Sequence, residues 1–297
     1  MSAARPQLAV LGTGRMGAPI ASNLLAAGFA VSVWNRTRSR AAGPAGDGAW
    51  VGSTPAQAAA QADIVFTMLT DGAAVEQVMS GPEGAAAATR PGAVWIQMST
   101  VGVEWTHRLA ELAEQHGLRF VDAPVSGSDG PAREGTLLVL ASGADDVRAE
   151  VQPVFEAIGR RTLWLGPAGN GSALKLALNT WLASLVEGMA EVLALTDALQ
   201  VDPRVFVDTL ADLPLSSPFA IAKGNAMIAH DFAPGFALRH ALKDVGLALD
   251  AANERGVELP VTASLQESWE DVVAAGHADD DVSVVFESNK VLKEAPR

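Results

Sequence analysis

Leu8-Ala9-Val10-Leu11-Gly12-Thr13-Gly14-Arg15-Met16-Gly17 decides how the rest of the chain is read. Its four leading apolar residues have the pattern of a buried strand, and residues 18–27 that of a helix ending at Gly28. Between them each glycine has its own task. Gly12 allows a tight turn, Gly14 lets backbone approach a pyrophosphate, and Gly17 permits close helix–strand packing. Thr13, Arg15 and Met16 complete the turn. The helix N-terminus then offers N–H groups and a partial positive charge to phosphates. A glycine turn that only packs tightly is the alternative; directly after a strand and opening a helix, the pattern points to a dinucleotide.

Residues 31–34 form the next expected strand, and the residues at its end bear on the cofactor. An Asp or Glu there would accept from the ribose hydroxyls of NAD(H). The chain instead reads Trp34-Asn35-Arg36-Thr37-Arg38. Arg36 can stack on adenine and donate to a 2′-phosphate, and Thr37 adds a hydroxyl, so NADP(H) is preferred over NAD(H). Solvated surface arginines at 36 and 38 are the other reading. Further apolar runs at 64–69, 94–98, 119–121 and 137–140 recur at βα spacing, which predicts a parallel sheet covered on both faces. Gly166-Pro167-Ala168-Gly169-Asn170-Gly171 is a turn cluster, no convincing strand follows it, and a helix is expected from Ser172 to about Leu199. The expected fold is an α/β Rossmann-type N-terminal domain (residues 1–168) and an all-α substrate and oligomerisation domain (residues 169–297), joined by a long interdomain helix.

Composition narrows the function. The formal net charge of −13 argues against nucleic-acid binding, which needs a basic surface. With no cysteine there is no disulfide framework, thiolate metal site or cysteine nucleophile, and the histidines lack metal-ligand spacing, so no metal is expected. A short, weakly basic N-terminus and the absence of a long apolar run predict neither a signal peptide nor a membrane span, and a cytoplasmic protein.

The first of only five lysines, Lys175, interrupts the apolar stretch Ala173-Leu174-Lys175-Leu176-Ala177-Leu178-Asn179. Asn179, one turn on, shares its face; Ser172, Ala183 and Glu187 lie on or near the same stripe. A helix buried nearly all round with one polar stripe suggests that the stripe lines a cleft. Burial would pull the lysine pKa down from about 10.4 towards neutrality, suiting proton exchange with a carbonyl oxygen. A lysine whose head reaches solvent at a domain boundary is the alternative. Asp122-Ala123-Pro124-Val125-Ser126-Gly127-Ser128 follows a strand, and its small residues leave Ser126 Oγ and backbone N–H groups for a carboxylate, or form a plain polar turn. Lys243 and Asp244 are adjacent, so a helix would send one to the cofactor and one to Lys175, unless they form a solvated charge pair.

Taken together these segments resemble the β-hydroxyacid dehydrogenases, over residues 8–288, and most of all their glyoxylate and succinic semialdehyde reductase branch. The resemblance rests on the glycine turn, Trp34-Asn35-Arg36-Thr37, the 122–128 segment, Gly169-Asn170-Gly171 with Lys175 and Asn179, and Lys243-Asp244. It implies that Lys175 is the general acid/base and that Ser126, Gly127, Ser128 and Asn179 bind substrate. It also implies that Met68, Leu69, Thr100 and Lys243 contact the cofactor, that Asp244, the acid next to Lys243, binds substrate, and that Phe236 closes the substrate pocket. The partners implied are a small carbonyl or hydroxyacid substrate and a second copy, in a homodimer or homotetramer. Departures at Ser128 and Asp129-Gly130 weigh against 3-hydroxyisobutyrate as the specific substrate more than against the chemistry. A 3-hydroxyisobutyrate-type dehydrogenase, an imine reductase, a phosphogluconate dehydrogenase and a cofactor-binding scaffold without catalysis are the competing readings.

Overall fold

Short apolar strands alternate with helices through the first half of the chain, and a parallel sheet is the result. The computed structural model describes residues 5–294. β1 (Gln7–Leu11) leads through the glycine turn into α1 (Gly17–Ala26), then β2 (Ala30–Trp34), α2 (Ala42–Gly46), β3 (Trp50–Val51), α3 (Pro55–Ala59) and β4 (Ile64–Thr67). Next come α4 (Gly72–Ser80), β5 (Val94–Gln97), α5 (Val103–Gln115), β6 (Arg119–Asp122), β7 (Val125–Ser126), α6 (Asp129–Arg133), β8 (Leu137–Gly143), α7 (Arg148–Ile158) and β9 (Gly159–Trp164).

The parallel strands run in the order β3-β2-β1-β4-β5-β6, so the direction of winding reverses between β1 and β4. That reversal opens the crevice where α/β sheets of this kind take ligands. β4 and β5 are buried along their whole length, because helices cover both faces and no alternation with polar residues is needed. Trp95, fully buried, meets Phe120 edge-on at 5.2 Å and donates its indole N–H to Thr67 Oγ1 at 2.9 Å.

The sheet is not wholly parallel. β8 pairs antiparallel with β6, placing Asp122 opposite Ser142, and carries antiparallel β7 and parallel β9 beyond. β3 and β7 are two residues each, too short for periodicity to register, and β9 is a half-exposed strand that begins Gly-Arg-Arg. Met68 and Leu69 lie past the end of β4 rather than within it.

α8 (Asn170–Ala198) is next, and α9 (Pro203–Ala211), α10 (Pro218–Ala229), α11 (Leu238–Glu254) and α12 (Pro260–Val272) complete the helical set. Side-chain caps mark the starts of α9 and α10: Asp202 accepts from the N–H of Arg204, and Ser217 from that of Ala220, each before a proline. The chain forms two compact units, dividing after Lys175 within α8. The core of the second unit sets Val186, Ala190 and Leu193 of α8 among Met227, Val245, Leu265 and Trp269. α8 is not buried all round: Ala173 and Ala177 are exposed, and Trp181 is 64% exposed. Its even hydrophobicity therefore reflects an outward apolar stripe as well as a core face. Among the described residues no helix is long and apolar enough to cross a membrane.

Candidate active site

The glycine turn is shaped by what surrounds each position. Gly12 has φ +103°, and a Cβ there would stand 2.2 Å from the Met68 carbonyl oxygen. A Cβ on Gly17 would stand 1.8 Å from the Gly12 carbonyl oxygen. Gly14 differs, with nothing within 4 Å of where its Cβ would be. The protein itself excludes side chains at 12 and 17, whereas at 14 it leaves open space. Thr13 is 2% exposed and its Oγ1 has no hydrogen-bond partner. An orphaned buried hydroxyl beside an open glycine at a helix N-terminus fits a pyrophosphate.

Asn35 does structural work here. Its Oδ1 accepts from the Thr13 N–H at 3.1 Å and its Nδ2 donates to the Thr37 carbonyl at 3.0 Å, so it ties the loop after β2 to the glycine turn. Arg36 and Thr37 are exposed beyond it, as is Arg15; Met16 is half-buried. Leu69, half-buried like Met68, donates its N–H to Ser99 Oγ at 2.8 Å. Buried Gln97 clasps Ser99 by both backbone groups, at 2.6 and 2.8 Å, which sets half-buried Thr100 just beyond β5. The turn, Asn35, Met68, Leu69 and Thr100 thus gather at the carboxyl ends of β1, β2, β4 and β5.

A second cluster forms at the end of β6. Ser126 is half-buried in β7, while Gly127 and Ser128 are exposed. Ser128 occupies the N-cap position of α6 without making a side-chain cap bond. Fully buried Asp122, which sequence reasoning did not single out, anchors α8 from the same strand end. Its Oδ2 accepts from the N–H of Gly169 (3.2 Å), the N–H of Ser172 (2.9 Å) and Ser142 Oγ (3.0 Å), and its Oδ1 lies 2.8 Å from Ser172 Oγ. Burial pushes the Asp122 carboxyl above the usual range, more strongly than the donors from Ser172, Ser142 and Gly169 pull it down. Half-buried Lys175 sits one turn past Ser172 on α8.

In the helical unit, Asn179 (6% exposed) donates Nδ2 to Asp244 Oδ2 at 2.5 Å, which leaves its carbonyl oxygen as an acceptor. Lys243 and Asp244 do not diverge as adjacent helical residues were expected to. The flexible lysine stem folds back, bringing Nζ to 3.0 Å from Asp244 Oδ1. Glu187, the far end of the polar stripe, is engaged elsewhere, accepting from the buried indole of Trp269 at 2.6 Å. Its carboxyl is pushed up by burial, held down in part by that indole, and raised again by Glu191.

Half-buried Phe236 begins at an anchor the sequence did not reveal. Asp281 Oδ2 accepts from the N–H groups of Gly235 and Phe236, both at 3.0 Å, while Oδ1 meets Lys223 Nζ at 2.6 Å. Burial alone would raise the Asp281 carboxyl; the Lys223 hydrogen bond, the Phe236 N–H, the lysine charge and the Ser283 N–H outweigh it, and the net shift is downward. A carboxyl depressed on folding contributes stability that is present above its unfolded value and is lost as pH falls through its folded one. Lys223→Met leaves a buried charge unpaired, so it should lower stability by about 3 kcal/mol near pH 7 in urea unfolding. That deficit should shrink as pH falls below about 4, the unfolded carboxyl range. An equal loss at every pH would place the lysine's contribution in packing instead.

A glycine turn at a winding reversal, with an orphaned buried hydroxyl next to a glycine that has open space around it, defines a dinucleotide-binding protein. Comparison with known proteins supplies the chemistry. Residues 7–166 match the NAD binding domain of 6-phosphogluconate dehydrogenase, and residues 169–288 the family described as NAD-binding of NADP-dependent 3-hydroxyisobutyrate dehydrogenase. Glyoxylate/succinic semialdehyde reductase 1 of Arabidopsis thaliana is 34% identical over 288 residues, 97% of this chain and 100% of its own. The plant's chloroplastic reductase 2 is 34% identical over 283 residues, 95% of this chain and 79% of its own. The solved Mycobacterium tuberculosis 3-hydroxyisobutyrate dehydrogenase with L-serine superposes with a TM-score of 0.87 at 31% identity, covering 97% of this chain and 100% of that one. The chain belongs to the β-hydroxyacid dehydrogenase family. It is a nicotinamide-dependent oxidoreductase with NAD(P)-dependent hydroxyacid dehydrogenase activity.

Proposed function

We propose that the protein reduces short aldehyde acids of the glyoxylate or succinic semialdehyde type to hydroxyacids with NADP(H), and that Lys175 is its general acid/base. The observation that carries this reading is at the end of β6, where Asp122 is hydrogen-bonded to the first turn of α8, one turn before Lys175, and the chain continues through β7 into the Ser126-Gly127-Ser128 turn. The two Arabidopsis reductases, matched along nearly the whole chain, support the substrate class.

When bound, a reduced nicotinamide would supply the hydride that the carbonyl carbon takes up. Gly12, Thr13, Gly14, Arg15, Met16 and Gly17 hold its pyrophosphate, Arg36 and Thr37 its 2′-phosphate, and Met68, Leu69, Thr100 and Lys243 flank it. Asn35 acts by fixing the loop rather than by touching the phosphate. Ser126, Gly127 and Ser128 bind the substrate carboxylate, and Asn179, oriented by Asp244, binds it beside Lys175. Lys175 Nζ delivers a proton to the carbonyl oxygen, and Phe236 closes the pocket. Exposed Trp181, Leu195 and Leu199 on and just after α8 suit burial against a second copy in a homodimer or homotetramer.

Small aldehyde acids, 3-hydroxyisobutyrate and cyclic imines, each assayed with NADPH and NADH, test the assignment. The highest kcat/KM is expected for glyoxylate or succinic semialdehyde with NADPH; faster imine reduction would overturn it. Arg36→Ala should lower kcat/KM for NADPH about 10–100-fold, as expected for charge-assisted hydrogen bonds, with little change for NADH. Equal losses with both cofactors would remove Arg36 from the recognition of the 2′-phosphate.

A further inference from the structure

We propose that Asp122 is a positioning residue for Lys175, and that it works as a neutral carboxylic acid: one oxygen caps α8, while its proton heads a hydroxyl chain from β6 through α8 to α5. The proposal rests on the reading of Lys175 as general acid/base.

A helix begins with backbone N–H groups that no residue of its own turn can accept. The residue before α8 is Gly169, which has no side chain to serve as a cap. Two strands supply the acceptors instead. Asp122 Oδ2 from β6 takes the N–H groups of Gly169 and Ser172, and Ser142 Oγ from β8 takes the N–H of Gly171 at 3.0 Å. The approach is close enough that a Cβ on Gly171 would stand 2.2 Å from the Leu140 carbonyl oxygen. The first turn of α8 is therefore fixed in axial position and in rotation, and so is Lys175, three residues past Ser172.

Counting protons along the chain favours the neutral acid. Asp122 Oδ1 and Ser172 Oγ are 2.8 Å apart, Ser172 Oγ and Thr106 Oγ1 2.9 Å, and Thr106 Oγ1 and the Gly102 carbonyl oxygen 2.7 Å. Three contacts need three protons, and the two hydroxyls have two. With Asp122 ionised one of the three contacts must lack a proton: if Ser172 donates to Asp122 and Thr106 to Gly102, the two hydroxyl oxygens face each other with no proton between, and if Thr106 donates to Ser172, its 2.7 Å contact with the Gly102 carbonyl, which also accepts the Thr106 N–H, goes unfilled. With Asp122 protonated, Oδ1–H donates to Ser172, Ser172 to Thr106 and Thr106 to Gly102, and every contact is filled. Oδ2 remains a pure acceptor, as its three donors require. The surroundings agree, because the residue is wholly buried, burial raises its carboxyl, and among the described residues no cation pairs with it.

Asparagine is the neutral acid's near-isostere, with a donor at one atom and an acceptor at the other. Asp122→Asn should therefore keep kcat within about threefold, below the roughly tenfold loss typical of one broken hydrogen bond. Asp122→Ala should cut kcat about a hundredfold, the scale of an ångström-sized misplacement of a reacting group, with KM for NADPH little changed. Ser172→Ala, which removes only the hydroxyl chain, should cost about tenfold and guards against a misfolded Asp122→Ala protein. Infrared spectroscopy at neutral pH should find a carboxylic-acid carbonyl band that Asp122→Asn deletes. A loss in Asp122→Asn as large as in Asp122→Ala, or the missing band, would overturn the neutral state. Unchanged kcat in both Asp122→Ala and Ser172→Ala would overturn positioning. Full turnover by Lys175→Ala would instead remove the reading beneath the proposal, and the two failures are distinguishable.

Discussion

Lys175→Ala should lower kcat by about 10²–10⁴-fold, the usual range for general acid–base assistance, while NADPH still binds within a few-fold of the parent affinity. The separation comes from where the residue stands. The glycine turn, Asn35, Met68, Leu69 and Thr100 are set by β1, β2, β4 and β5, and the hydrogen bonds of Asn35, Gln97 and Ser99 hold that nucleotide side together. Lys175 stands on α8 instead, with its backbone held from β6 and β8. Fluorescence titration with NADPH and single-turnover measurement of hydride transfer separate binding from chemistry. Lys175→Arg should not restore the rate, because guanidinium keeps its proton at neutral pH. Turnover by Lys175→Ala within a few-fold of the parent would show that the proton comes from elsewhere.

The second large effect belongs to Gly12, and its neighbour Gly14 is the control. Gly12→Ala sets a Cβ 2.2 Å from the Met68 carbonyl oxygen at φ +103°, where both contact and backbone are wrong for an L-residue. The obstacle is backbone, which cannot swing aside, so a stability loss of about 4 kcal/mol or more is expected in denaturant unfolding. Gly14→Ala meets nothing within 4 Å, and without cofactor it should unfold like the parent. Its defect should appear only as weakened NADPH binding. If Gly14→Ala unfolds early, or binds NADPH normally, position 14 is not where the pyrophosphate comes close.

These contrasts mark what could be read from the residues. The glycine turn and the runs at 8–11, 31–34, 64–69 and 94–98 announced a parallel sheet, because strands covered on both faces are apolar throughout. Leu137 onward is just as apolar, so nothing in it signalled that β8 would run antiparallel to β6. Lys175 and Asn179 stood out as polar residues in an apolar helix. Asp122 and Ser142 did not, since an acid at a strand end and a lone serine look like turn residues; Ser172 was legible as part of the polar stripe, but not as a partner of Asp122. Only the pairing of β6 with β8 sets Asp122 opposite Ser142 and brings both beneath α8. Asp281 escaped for a like reason: Lys223, its partner, is 58 residues away.

That anchorage bears on how such a chain can be cut or recombined. The two matched families meet between residues 166 and 169, which invites treating the first as a detachable cassette. A fragment stopped there would strand Asp122 and Ser142 in the sheet, stripped of the Gly169, Gly171 and Ser172 groups that satisfy them. The compact unit instead extends to Lys175. The nucleotide-binding half thus owns the opening turns of the helix that carries the proposed acid, and a graft joining it to a foreign helical half would have to splice within α8, downstream of those turns, or forfeit the placement of that residue.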